Sequence, residues 1–241
     1  MGSFVAEGSF WKLFPQAAIG VVVATGMKPT SEIAGDDVDE IATLLKRANV
    51  DARRHLTSDT ISENEPVKAW REAYRRFKTK KGARCSIENL LKRVLKDKPV
   101  GHITPAVDIY NTVSLTYALP VGGEDLHAIE GDLRLTVTEG GDAFLPLGED
   151  ADDPTLPGEL AYVDDAGAVC RCWNWRDGVR TALMDDSTDA FFAIECVEPD
   201  RTGDCQAAID RLAGLLERYL GATIGTKALV TRNNPRIELS P

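Results

Sequence analysis

The sequence predicts an α+β domain, and three patterns carry this prediction. A β-branched apolar run at 18–26 is typical of a buried strand, and amphipathic helical patterns follow it between 36 and 98. Beyond Pro99 the chain changes to short β-rich segments, with turn residues about every eight to twelve positions. With 241 residues, of which 43% are hydrophobic, the chain is long enough for one large domain with a buried core.

The first quarter of the chain combines one strand with one helix. The run AIGVVVATG at 18–26 ends at a glycine, which favours a strand followed by a turn. Asp36 or Asp37 can cap a helix that continues to about Ala48. The apolar face of this helix consists of Val38, Ile41, Leu44, Leu45 and Ala48. The polar, irregular stretch at 51–65 predicts a loop.

Residues 66–98 predict a pair of basic helices. Pro66 opens the first helix, which continues to about residue 81. Its apolar stripe consists of Val67, Trp70, Tyr74 and Phe77. This regular stripe favours a position in the core over a surface that stacks on nucleic-acid bases. Ser86 caps the second helix, and Pro99 ends it.

Five β-rich segments and one helix are predicted beyond Pro99. The strands are expected at 133–138, 143–147, 160–164, 168–173 and 190–197. If 168–173 is a strand, Cys170 and Cys172 share one face of it. Asp204 caps the final helix, and Gly221 ends it.

Composition and motifs exclude several classes of protein. No run approaches the roughly 18 apolar residues of a membrane span, and the first residues lack a secretory pattern, so we expect a cytoplasmic protein. The five cysteines are odd in number and irregularly spaced, which predicts reduced thiols and no zinc site. Motifs of P-loop, dinucleotide-binding, nucleophile-elbow and zinc-protease sites are absent. Nucleotide hydrolysis by a P-loop and zinc proteolysis therefore have no support.

The net charge of −10 conceals a basic segment at 68–98, which holds twelve lysines or arginines and three acids. Such a run is either a solvated helix face or a patch that binds the phosphates of a nucleic acid. On the second interpretation, the residues that contact the nucleic acid are Arg71, Arg75, Arg76, Lys78, Lys80, Lys81 and Arg84.

Two runs of residues resemble a known family. The run AVDIYNTVSL at 106–115, followed by LHAIE at 126–130, is similar to the B3/B4 editing domain of the bacterial phenylalanyl-tRNA synthetase beta subunit. The family's run reads approximately V-V-D-x-T-N-Y-V-x-L-E-x-G-Q-P-x-H-A-F-D, and the second match requires a slightly longer spacer here. The segment DAFFAIECVEP at 189–199 resembles the family's closing strand. The resemblance covers about residues 84–230.

The resemblance implies a B3/B4-like fold: a β-rich core with flanking helices and an N-terminal helical elaboration. Residues 1–65 are then expected to form an extension packed on the core. Residues 66–241 form the B3/B4-like domain, with the basic helical pair at 66–98 and the motif-bearing core at 99–230. Together these parts are expected to make one compact unit.

The resemblance also implies an activity, the hydrolysis of the ester that joins a wrong amino acid to the 3′ end of a tRNA. A free-standing member would act in trans on the tRNA acceptor end and would need no metal or organic cofactor. His127 corresponds to the family's editing-site histidine, which implies that it positions or activates the water.

Several polar residues are candidates for binding the substrate. Asp108 and Asn111 lie in an apolar, strand-like run, where they either contact the ligand or stabilise the centre of the domain. In the family, the acid that selects the substrate lies in a Gly-Gly-Glu segment. The segment 173–178 replaces it here, so the resemblance does not imply selection of tyrosine. That segment supplies a polar cluster able to bind an ammonium or a terminal phosphate: Asn174, Arg176, Asp177 and nearby Arg180. Glu195, in the closing strand, is a further candidate.

Two alternatives to an editing enzyme stay open. The first is a module of the same fold that binds tRNA, or a free amino acid or small metabolite, without hydrolysis. In the second, the basic helices bind a protein partner, and the steep salt dependence of phosphate binding separates this case from the others. Loss of hydrolysis with retained tRNA binding in His127→Ala separates the enzyme from the binding module.

Overall fold

Two β-sheets face each other in the computed structural model, which describes residues 2–239. The strands are β1 (Ser3–Ala6), β2 (Ala18–Thr25), β3 (Val121–Asp125), β4 (Leu133–Val137), β5 (Leu160–Val163), β6 (Ala168–Arg171), β7 (Arg176–Asp177), β8 (Ala190–Cys196), β9 (Thr223–Val230) and β10 (Arg236–Glu238). The first sheet has the order β10-β1-β4-β5-β6-β7, and the second has the order β3-β8-β2-β9.

The inner faces of both sheets share one hydrophobic core. Phe4 of β1 packs against Phe191 of β8, with 5.3 Å between their ring centroids. All pairs of strands are antiparallel except β1 and β4, which run parallel. In β8, Phe191, Ala193 and Glu195 share the inner face because side chains alternate along a strand.

Six helices surround the sheets: α1 (Gly8–Leu13), α2 (Gly35–Asp51), α3 (Glu65–Ala73), α4 (Ser86–Leu95), α5 (Pro105–Tyr117) and α6 (Thr202–Leu220). Helices α5 and α6 cover the outer face of the second sheet, and α2 packs against α5. Helix α6 packs closely on β2 at Gly20, where a Cβ atom would lie 2.7 Å from Cγ1 of Ile209. No helix within residues 2–239 is long and apolar enough to cross a membrane.

Most of the predicted elements are confirmed. Strands β4, β5, β6 and β8 occupy the predicted segments, whereas 143–147 forms no strand. Helices α2 and α6 lie where the periodicity predicted them, and α6 ends at Gly221, whose φ of 64° is left-handed. The loop 51–65 contains two short 3₁₀ turns. All five cysteines are buried and free.

The strand-like interpretation of residues 106–115 is wrong, because this run lies in helix α5. Thr104 caps the helix by accepting a hydrogen bond from the backbone N–H of Val107, and Pro105 occupies the first turn. Helix α5 is surrounded by α2, α6 and β3. Since it is buried on several sides, its buried residues, polar ones included, occupy more than one face, and the sequence lacks the period that marks a surface helix.

The first basic helix is shorter than predicted. Helix α3 ends at Ala73, and residues 74–85 form an irregular link to α4. Tyr74 and Phe77 lie on this link and still pack on the core, as the stripe predicted. The prediction that Ser86 caps α4 is wrong. Cys85 occupies the cap position, and the hydroxyl of Ser86 is buried without a partner in the described chain. Most of the predicted tRNA contacts therefore lie on a link between helices.

The N-terminal segment is an integral part of both sheets. Strand β1 lies between β10 and β4, and strand β2 lies between β8 and β9. An internal strand cannot be removed without exposing the backbone groups of its neighbours. The predicted boundary between residues 65 and 66 therefore does not divide the fold.

Candidate functional site

A cavity of about 70 Å³ lies between the two sheets, where β3 and β8 face β5, β6 and β7. Its polar wall consists of Ser86, Glu124, Tyr162, Cys170, Asn174, Asp177 and Glu195. Its apolar wall consists of Val121, Gly122, Trp173, Trp175, Phe191 and Ala193. The volume accommodates a few water molecules or one small polar group. We call this space the acidic cavity.

Glu195 is the most firmly held acid of the cavity. Its Oε1 atom accepts a 2.8 Å hydrogen bond from the Tyr162 hydroxyl, and its Oε2 atom lies 3.4 Å from the amide nitrogen of Asn174. The side chain is buried, and burial raises the pKa of Glu195 to about 8. The carboxyl group is therefore largely protonated at pH 7, and a cation beside it favours ionisation.

Two further acids line the same cavity. Glu124 is buried on β3, and its Oε2 atom has no hydrogen-bond partner within residues 2–239. Burial raises the pKa of Glu124 well above its ordinary value, and the negative charge of Asp177 raises it further. Burial likewise raises the pKa of Asp177. The described part of the chain contributes no lysine or arginine to the cavity wall, so the cavity favours a cationic group.

A strained turn positions the aromatic wall. Cys172 and Trp173 follow β6 with φ values of 46° and 66°, a conformation that non-glycine residues rarely adopt. The carboxylate of Glu159 accepts a hydrogen bond from the backbone N–H of Cys172, and Leu160 accepts one from the N–H of Trp173. Such strain persists only where the surroundings fix it, and it commonly occurs at functional sites.

A stability measurement tests the burial of Glu195. Its folded-state pKa of about 8 exceeds its ordinary value of 4.5, so the folded protein holds a proton that the unfolded chain releases between these values. The stabilisation is complete below pH 4.5 and is lost as the pH rises to 8. We therefore expect Glu195→Gln to raise the melting temperature relative to the parent at pH 8 and to change it little at pH 4.5. Glu139→Gln, at an exposed acid, is the control; an equal effect of both substitutions would contradict the burial.

The structure brings only part of the predicted substrate cluster together. Asn174, Asp177 and Glu195 all line the acidic cavity. Arg176 instead pairs with Glu149 and donates to the Leu147 carbonyl. Arg180 pairs with Asp164 and donates to the carbonyl of Ala128. Asn174, Asp177 and Glu195 thus meet at the cavity, whereas the two arginines pair elsewhere.

Asp108 and Asn111 are buried on α5 and do not line the cavity. Asp108 accepts a 2.9 Å hydrogen bond from the backbone N–H of Ile103, and its other oxygen lies 2.6 Å from Nδ1 of His102. These contacts fix the loop before α5. The geometry therefore supports the structural interpretation of Asp108.

His127 also lies outside the acidic cavity. It belongs to a 3₁₀ turn after β3, its side chain is 60% exposed, and its Nε2 atom lies 3.3 Å from Asp189 Oδ2. The family's run can also be aligned to this chain with its aspartate on Asp108 and without the longer spacer. In that alignment the family's glycine corresponds to Ala118 and its histidine to Gly122. Ala118 has a left-handed φ of 48°, which glycine adopts readily, and Gly122 lines the cavity. In this alignment Gly122 is the counterpart of the family's histidine, whereas the assignment of His127, which needs the longer spacer, stays a prediction.

The predicted tRNA contacts separate into groups. Arg71, Arg75 and Arg84 line one pocket. Lys80 and Lys81 line another pocket together with Arg176, Glu149, Asp152 and Asp153, and Lys80 pairs with Asp153. Arg76 donates to the Leu13 carbonyl and lies over the ring of Phe14. Lys78 joins the core strands through a backbone bridge to Glu159.

Sequence reasoning missed most of the residues that line the cavity, among them the polar residues Ser86, Glu124, Tyr162 and Cys170. Glu124 follows Gly122 and Gly123, and an acid in this mostly apolar stretch was the available signal. Gly123 is required by packing, because a Cβ atom there would lie 2.7 Å from the Phe192 ring. Tyr162 carried no signal in the sequence. Within residues 2–239 no group of three or more histidines, cysteines or acids is arranged to hold a metal ion.

Comparison with known proteins agrees with this fold. The family model described as B3/4 domain matches residues 69–221, which is more than half of the chain. No curated protein matches the sequence. The structure is similar to an N-terminal fragment of the phenylalanyl-tRNA synthetase beta-subunit from Pyrococcus horikoshii, with a TM-score of 0.51 and 10% identity. The match covers 94% of this chain and 53% of that fragment, so the chain corresponds to about half of it. The chain therefore belongs to the B3/4 domain family.

Proposed function

We propose that this chain is a cytoplasmic, trans-acting hydrolase that binds the tRNA acceptor end and removes wrongly attached amino acids. One observation carries the proposal: a cavity lined by Glu124, Asp177 and Glu195 lies directly beside the basic link 74–85. An aminoacyl-tRNA end has the matching charges, because a cationic ammonium is joined to a polyanionic RNA. Membership in the B3/4 family and the similarity to a phenylalanyl-tRNA synthetase fragment support this choice of substrate.

The cavity suits the ester because the reaction needs little more than positioning. An aminoacyl ester is already activated, so hydrolysis requires an oriented water and hydrogen-bond donors for the developing oxyanion. The three carboxyl groups bind the α-ammonium, and this cation draws Glu195 into its ionised form. The indole N–H of Trp173 is buried without a partner in the described chain and is available to the carbonyl oxygen. Ionised Glu195 is then a base for the water.

Deacylation of a panel of mischarged tRNAs by the purified protein tests this function. We expect faster hydrolysis of one or two aminoacyl pairs than in buffer alone. Binding of uncharged tRNA, measured in parallel at 50 mM and 200 mM salt, should weaken steeply as the salt rises because phosphate contacts release counterions. Binding without any hydrolysis would contradict the enzymatic part, and binding insensitive to salt would contradict the tRNA part.

A second candidate is a module that binds aminoacyl-tRNA without hydrolysing it. One observation favours it: in the alignment without the longer spacer, Gly122 stands where the family has its histidine, and Gly122 lines the cavity. The role of His127 remains a proposal that His127→Ala tests. Because His127 is exposed and faces Asp189, we expect tRNA binding to be unchanged. A loss of hydrolysis in this variant would assign His127 to catalysis, and an unchanged rate would exclude it.

A further inference from the structure

A second pocket, of about 250 Å³, opens between α3, the link 74–85 and the start of α4. Its charged residues are Arg71, Arg75, Arg84 and Glu88, and we call it the arginine pocket. The other residues of its wall are Trp70, Tyr74, Thr79, Ala83 and Cys85. The volume is below the roughly 300–1,000 Å³ of pockets that enclose a whole drug-sized ligand, so it fits one group of a larger molecule.

The charges of the arginine pocket leave it positive. Glu88 is buried and binds Arg71 through two hydrogen bonds, at 3.0 Å and 2.6 Å. The Nε atom of Arg84 lies 3.7 Å from the same carboxylate. Arg75 is 74% exposed and pairs with the exposed Glu72. Three guanidinium groups thus line the pocket with one buried carboxylate, and guanidinium groups match the geometry of a phosphate.

The arginine pocket and the acidic cavity share a wall. The hydroxyl of Tyr74, which lines the pocket, lies 2.9 Å from Oδ1 of Asn174, which lines the cavity. Cys85 lines the pocket, and the next residue, Ser86, lines the cavity. Trp70 of the pocket packs edge-on against Trp173 of the cavity, with 4.8 Å between ring centroids. A site for an anion therefore adjoins a site for a cation.

We propose that the arginine pocket binds the phosphate of the nucleotide that carries the aminoacyl group. This inference rests on the proposed function. Of the twelve lysines and arginines at 68–98, it assigns phosphate binding to those that line the arginine pocket. The adjacent sites would hold the two charges of one ligand, the ammonium in the cavity and the phosphate in the pocket. Arg75 and Arg84 supply exposed guanidinium groups, while Glu88 holds Arg71 in place.

Calorimetric titration with adenosine 5′-monophosphate tests the pocket. The variant Arg75→Gln/Arg84→Gln removes the two exposed cations and keeps the Arg71–Glu88 pair, so the buried acid stays compensated. The control Lys92→Gln/Lys96→Gln removes the same charge from exposed positions near the other end of the basic segment. We expect at least a tenfold loss of affinity in the first variant and less than a threefold loss in the control, with equal melting temperatures. Equal losses in both variants, or no binding by the parent protein, would overturn the assignment.

Two further measurements distinguish a nucleotide phosphate from free phosphate, and a failure of the pocket assignment from a failure of the proposed hydrolase. Inorganic phosphate should bind more weakly than the nucleotide and an acceptor-stem minihelix; binding as tight as theirs would indicate a free-anion site and overturn the nucleotide assignment. Deacylation by Arg75→Gln/Arg84→Gln with an unchanged KM would overturn the pocket and leave the proposed hydrolase intact. Pocket-dependent nucleotide binding without deacylation by the parent would refute the hydrolase alone.

Discussion

Replacing Glu195 with glutamine is expected to lower kcat/KM for the best mischarged tRNA about 10- to 100-fold. The substitution keeps the volume of the side chain and the acceptor for the Tyr162 hydroxyl, but it removes the charge that pairs with the ligand's ammonium. A hydrogen bond to a charged group contributes about 1.5–3 kcal/mol, which sets the expected size of the effect. The variant should fold normally, because it removes a buried acid whose pKa is raised to about 8.

A pH series separates a charge effect from a general disturbance of the cavity. Between pH 5 and 7 the ligand's ammonium stays largely protonated, while Glu195 must release its proton to pair with it. The affinity of the parent protein for a non-hydrolysable amide analogue of aminoacyl-adenosine should therefore rise by up to about tenfold per pH unit. Glu195→Gln should show a flatter profile, and Glu139→Gln should behave like the parent. Parallel profiles in the parent and Glu195→Gln would contradict the assignment.

Replacing Arg171 with methionine is expected to lower the free energy of unfolding by about 3–5 kcal/mol. Arg171 and Glu159 are both fully buried, and the guanidinium donates to the two carboxylate oxygens at 2.9 Å and 2.7 Å. Methionine leaves the charge of Glu159 without its buried partner, which is far costlier than losing an exposed ion pair. Urea unfolding followed by circular dichroism measures the change.

The control is Arg236→Met, which removes an exposed partner of Asp132. Exposed pairs contribute about 0–1 kcal/mol, so this variant should stay close to the parent. Arg171→Met should also disturb the acidic cavity, because Glu159 holds the N–H of Cys172 at the strained turn that carries Trp173. A loss of stability below 1 kcal/mol would show that the buried pair is not needed for the fold.

Elements with a clear period could be predicted from the sequence. Helix α6 has one apolar face and a left-handed glycine after its last turn, and β8 is a short apolar run of β-branched and aromatic residues. These signals are local, since they follow from the geometry of one element against one core. The family was also visible in the sequence, because its run at 106–115 depends on residue identities and not on secondary structure.

Helix α5 shows where this reasoning ends. Its residues pack against α2, α6 and β3, so the apolar pattern covers several faces and fits neither a strand nor a surface helix. The sequence contained the cap, Thr104 followed by Pro105, but the strand-like interpretation overlooked it. The prediction of a helix beyond residue 73 failed for the opposite reason. The apolar stripe continues the helical spacing although the backbone leaves the helix at Ala73.

The sequence by itself determined the α+β class, the reduced cysteines, the basic segment and the family. The tertiary structure alone decided which charges meet. Glu124, Asp177 and Glu195 are distant in the chain and converge because pairing of β3 with β8, and packing of one sheet on the other, bring them to one cavity. The same pairing leaves His127 at its edge, outside the cavity. Side-chain direction in a sheet depends on register, and β3 pairs in register with β8, a strand far away in the sequence, so a local pattern does not reveal which side chains meet.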